Sequence, residues 1–125
     1  MKTMRGSFAA TIIVACALSA CGPAAHPVQT VAGGHPDDGR AAIARSPCIN
    51  CHVIPGIPES RGVVGPPLSR WAGRAYIGGR VANTPETLVQ WIRDAPSFDP
   101  EVAMPDMGIS EQEARDMAAY LFTLN

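Results

Sequence analysis

Cys48-Ile49-Asn50-Cys51-His52 constrains this chain more than any other stretch. Two thiols three positions apart, followed at once by an imidazole, have few uses. A thiol–disulfide redox pair belongs in a βαβ setting, and no such alternation is written here. A zinc site needs a fourth ligand from a second Cys or His cluster. Downstream of His52 the chain has neither residue, and upstream His26 and His35 are isolated. In an exported chain the same five residues are the attachment signature of c-type haem. The thiols reach the two vinyl groups of one porphyrin and form thioethers, and His52 faces the iron from the proximal side. The expected cofactor is one haem c, covalently attached through Cys48 and Cys51.

The N-terminus supplies the export context. Lys2 and Arg5 precede a mostly apolar stretch from Ser7 to Ala20 that ends in small residues. This is the layout of an export signal, too short to span a membrane comfortably. Leu18-Ser19-Ala20-Cys21 resembles a bacterial lipobox, which makes residues 1–20 a signal that is removed and Cys21 a lipidated N-terminus. Residues 21–36 then read as a flexible, Pro- and Gly-containing tether, and residues 37–125 as the folded domain. The protein is expected to be exported, periplasmic or otherwise extracytoplasmic, and held to a membrane by its lipid anchor. After residue 20 the chain has eight Arg, no Lys and eleven acids. That balance argues against a nucleic-acid partner.

The domain is short of material for a core of its own. The 125 residues include 12 Gly and 12 Pro but only 6% aromatics, so a chain this small needs a staple. A buried porphyrin supplies that bulk. Asp37 and Asp38 open a short helix through Arg45, with Ile43 and the alanines as its apolar face, and Ser46-Pro47 stops it. The stretch 53–83 is rich in Gly and Pro and reads as loop. Thr84-Pro85-Glu86 is a helix start, with Leu88, Trp91 and Ile92 forming an apolar stripe up to Ala95-Pro96. Ser110 to Glu113 form a capping box that opens a last helix carrying Ala114, Met117 and Leu121 on one face. No strand is expected. The fold class is all-α: three to four short helices and long loops wrapped around one haem.

With His52 as proximal ligand, the sixth ligand separates electron transfer from catalysis. Met104, Met107 and Met117 are the candidates. Met117 lies on the apolar face of the last helix and reads as core. Met104 precedes Pro105, which pushes its backbone toward the extended geometry of a strap. A thioether ligand favours reduced iron, and full six-coordination leaves no place for a substrate.

Most of the chain from Asp37 to Leu124 resembles a class I cytochrome c. Gly39 ahead of the Cys48–His52 motif resembles that family's first-helix glycine. Gly65-Pro66-Pro67-Leu68 resembles the loop whose proline carbonyl accepts from the proximal histidine, which implies that Pro66 holds His52. Gly73-Arg74 matches the arginine that neutralises a haem propionate, and Met104-Pro105 matches the axial methionine loop. Trp91 falls where the family carries an aromatic beside the haem. Ala119-Tyr120-Leu121 matches the last helix, whose aromatic packs on the first-helix glycine. Asn83 to Trp91 is also similar to cytochrome domains fused to oxidase subunits. Three features depart from the pattern: the span from Gly39 to Cys48 is one residue longer than in mitochondrial-type members, the loop from Arg74 to Asn83 is short, and the lysine ring used for docking is absent.

The resemblance implies a one-electron carrier rather than an enzyme, working with an oxidase, reductase or dehydrogenase and with no small-molecule substrate. A haem enzyme or gas sensor with an open iron position, and a fixed haem subunit of an oxidoreductase complex, are the alternatives. Charge is unevenly spread. Residues 61–80 hold Arg61, Arg70, Arg74 and Arg80 and no acid, whereas residues 81–125 hold two Arg against eight acids. The acidic segment would steer toward a basic partner.

Overall fold

The structure, a computed structural model, describes residues 28–125. The expected signal, Cys21 and the first part of the tether lie outside the described residues. Among the described residues the fold is all-α, with four α-helices, long loops and one minimal hairpin.

Helix α1 (Pro36–Arg45) begins with proline at its first turn, carries Asp37 and Asp38 where the helix dipole favours acids, and buries Gly39, Ala42 and Ile43. Ser46, held extended before Pro47, ends it and donates its hydroxyl to Ile43 O at 2.8 Å. Helix α2 (Cys48–Cys51) is a single turn. Helix α3 (Pro85–Arg93) starts as expected: Thr84 Oγ1 accepts from the Thr87 N–H at 3.2 Å, and Leu88, Val89, Trp91 and Ile92 are buried. Helix α4 (Glu111–Leu121) starts at Ser110, whose hydroxyl accepts from the Glu113 N–H at 3.3 Å. Among the described residues only this serine half of the expected capping box is made.

α1 and α4 cross at a point where a side chain has no room. A Cβ on Gly39 would lie 1.9 Å from Asp116 O and 2.9 Å from Met117 N, so only glycine lets the two backbones approach this closely. On the same helix Tyr120 donates its hydroxyl to Pro55 O at 2.7 Å and lies against Gly56. A buried phenol needs an acceptor, and that carbonyl provides it.

The second half of the expected tether is packed rather than free. Val31 is buried, Gln29 Nε2 donates to Asn83 O at 3.1 Å, and Gln112 Nε2 donates to Gly33 O at 2.8 Å. The His35 N–H donates to Asp116 Oδ1 at 2.9 Å, which satisfies a free donor at the start of α1. One apolar side chain and a buried carboxylate are enough to dock a segment whose composition looks like linker.

The hairpin was also not expected. Strands β1 (Tyr76–Ile77) and β2 (Val81–Ala82) pair antiparallel, Tyr76 opposite Ala82 and Ile77 opposite Val81. Gly78, Gly79 and Arg80 join them; both glycines take positive φ, +57° and +70°, and the Arg80 N–H closes the turn on Ile77 O at 2.9 Å. Two residues per strand are too few to show alternation.

Candidate functional site

The single turn of α2 brings the Cys48 and Cys51 thiols together, both half-buried and free. His52 leaves the turn in extended geometry, its N–H bonded to Cys48 O at 3.0 Å. Its ring is then held from the loop: Nδ1 lies 2.7 Å from Pro66 O. A carbonyl can only accept, so Nδ1 carries the proton and Nε2 keeps its lone pair for a metal.

The loop reaches the ring because residue 65 is glycine. A Cβ there would lie 2.3 Å from His52 Cε1 and 2.6 Å from Nδ1. The Gly65 N–H also donates to Cys51 O at 2.8 Å, and Gly62 packs equally closely on the backbone of Asn50 and Cys51. The resemblance placed Pro66 in this role; the steric demand on Gly65 and Gly62 is visible only in three dimensions.

Cys48, Cys51, His52, Trp91, Met104 and Met107 border one cavity of about 310 Å³. A smaller cavity of about 70 Å³, among Ile54, Leu68 and Leu121, also touches Cys48, His52, Trp91 and Met104. Met104 therefore borders both spaces that His52 borders, and Met107 borders only the larger. Met117 is almost fully buried, as a core residue should be. A larger open groove of about 690 Å³, between residues 28–31 and the C-terminus, holds neither thiol nor imidazole.

Arg74 follows the short turn of residues 71–73. Its guanidinium donates to Pro67 O, and to Ser69 O at 2.9 Å, and stacks over the Trp71 ring at 5.0 Å. Burial, and then the charge of Arg70, pull its pKa below the ordinary arginine value. Its first partners are the carbonyls of the strap that carries Pro66, so it braces that strap from within the loop. Asn83 supports the same loop, donating from Nδ2 to Trp71 O at 3.1 Å and to Arg74 O at 3.0 Å. Tyr76 is exposed, and Arg80 pairs with Asp99.

The donor set fits a porphyrin better than a bare ion. Among the described residues no three His, Cys, Asp or Glu side chains converge on one point as they would around a metal. What is assembled is a pair of thiols, one oriented imidazole and two thioethers, Met104 and Met107, around an apolar space. No helix among the described residues is long and apolar enough to cross a membrane.

The chain has the small cytochrome c fold. It is similar in structure to cytochrome c2 from Rhodobacter sphaeroides, with a TM-score of 0.52 and 20% identity over 73% of this chain and 96% of that one. No family model and no curated protein sequence matches the chain.

Proposed function

We propose that this protein is a monohaem c-type cytochrome that carries single electrons between exported or membrane-bound redox partners. One observation carries the reading: the His52 ring is pinned by Pro66 at 2.7 Å with Nε2 free, and Met104 borders the same two cavities. Cys48 and Cys51 would hold the haem, His52 and Met104 would ligate its iron, and Trp91 would pack beside the ring. Haem so bound supplies a one-electron ferric/ferrous couple. The chain's part is to fix both ligands so that little rearranges when the electron moves. The Nδ1–H bond to Pro66 makes Nε2 a stronger donor, the Met104 thioether favours the reduced state, and the apolar wall limits water. With His52 and Met104 as its ligands, the iron would have no position left for a substrate. The likeness of fold to a cytochrome c2 and the Cys48–His52 motif support this reading.

The lipid anchor at Cys21 is proposed on the lipobox alone. It would keep the carrier at a membrane surface beside its donor and acceptor, and the packed segment 29–35 leaves a short lead from anchor to domain.

The spectrum of purified holoprotein tests the proposal. Ferric protein should show the weak long-wavelength charge-transfer band of thioether-ligated haem, and ferrous protein should resist carbon monoxide. Ready carbon monoxide binding with no such band would favour an open-site enzyme or sensor instead.

A further inference from the structure

Two of the loops that border the candidate haem cavity are tied together by one ion pair. Arg80 Nη2 lies 3.0 Å from Asp99 Oδ2, with side-chain exposures of 60% and 14%. Asp99 is also the organising residue at the start of the methionine loop. Its Oδ1 accepts from the Glu101 N–H at 3.0 Å, and its backbone carbonyl accepts from the Val102 N–H at 3.0 Å. Arg80 is the last residue of the hairpin turn, its N–H bonded to Ile77 O at 2.9 Å.

These contacts close a ring. A Cβ on Gly78 would lie 2.9 Å from Trp91 Cη2, so the hairpin tip rests on the indole. Trp91 packs against Phe98, with ring centroids 5.6 Å apart. Phe98 precedes Asp99, and Asp99 returns to Arg80. Gly78 borders the cavity from one loop, and Val102 to Met104 border it from the other. The segment from Asp99 to Ser110 contains no helix or strand, so it depends on such cross-links for its position.

We propose that the Arg80–Asp99 pair is a latch that holds the methionine loop closed over the cavity and sets how readily Met104 yields its place to an outside ligand. The inference rests on the His52/Met104 ligation proposed above. Arg80 and Asp99 are positioning residues: neither touches the iron. The pair works by cost of opening. To withdraw Met104 the loop must part Asp99 from Arg80 and leave a mostly covered carboxylate without its cation.

The test is a titration of ferric holoprotein with imidazole, following loss of the thioether band, for wild type, Arg80→Gln, Arg80→Lys and Asp99→Asn. Arg80→Gln and Asp99→Asn should bind imidazole about three- to fivefold more tightly, the scale of a well-placed ion pair. Arg80→Lys, which keeps the charge, should stay near wild type. Raised salt should narrow the gap by weakening the wild-type pair. Arg80→Gln replaces an exposed side chain, so it keeps the test valid if Asp99→Asn folds poorly. Equal imidazole affinity in Arg80→Gln and wild type, or a gap that ignores salt, overturns the latch. A wild type that lacks the thioether band overturns the ligation itself and the latch with it.

Discussion

Gly65→Ala is the sharpest probe of the site because its consequence can be worked from two distances. The new methyl group would stand 2.3 Å from His52 Cε1, whereas ordinary contact begins near 3.4 Å. Ring or strap must therefore move apart by about 1 Å, since neither group is a flexible side-chain end. The strap also carries Pro66 O, 2.7 Å from Nδ1. A displacement of about 1 Å takes that pair beyond hydrogen-bond range. Overpacking costs about 1–3 kcal/mol and the lost hydrogen bond about 1 kcal/mol, so the fold should lose about 2–4 kcal/mol. Without the carbonyl the imidazole donates less to iron, which destabilises the ferric state, so the midpoint potential should rise. Urea unfolding and potentiometric titration of the holoprotein measure the two effects. Gly73→Ala is the internal control: nothing lies within 4 Å of its Cβ position. A Gly65→Ala protein as stable as Gly73→Ala, at an unchanged potential, would refute the argument that this strap sets the His52 ring.

Met104→Ala should abolish the thioether band, lower the potential and open the iron to carbon monoxide, whereas Met107→Ala should leave all three nearly intact; spectra of the two side by side decide which methionine binds. Cys48→Ala with Cys51→Ala should yield little bound haem and a chain that proteases digest readily, because the cavity of about 310 Å³ is then left unfilled. A double variant that unfolds cooperatively and resists proteolysis would show that the core stands without the cofactor. Cys21→Ser should release the protein from membranes or block its processing, read by fractionation and mass spectrometry; unchanged membrane association would remove the lipid anchor from the account.

What the sequence determined by itself is what local chemistry dictates. The spacing of Cys48, Cys51 and His52 places three donors on one turn and its exit. Thr84-Pro85 and Ser110 start helices because a hydroxyl three residues ahead of a free N–H, or a proline that gives one up, acts within a single turn. The apolar stripes of α1, α3 and α4 follow from helical period alone. Tertiary structure decided what depends on residues far apart in the chain. Gly65 has to be glycine because a ring thirteen positions earlier lies against it, and Gly39 because the α4 backbone does. The strap's brace by Arg74, the docking of Val31 and His35 on α4, and the Arg80–Asp99 tie are long-range pairings that leave no periodic mark. How Met104 and Met107 are placed about the cavities belongs to the same class. In sequence the two are thioethers three residues apart; in space only Met104 borders both cavities with His52, because the loop's path is set by the elements it packs against.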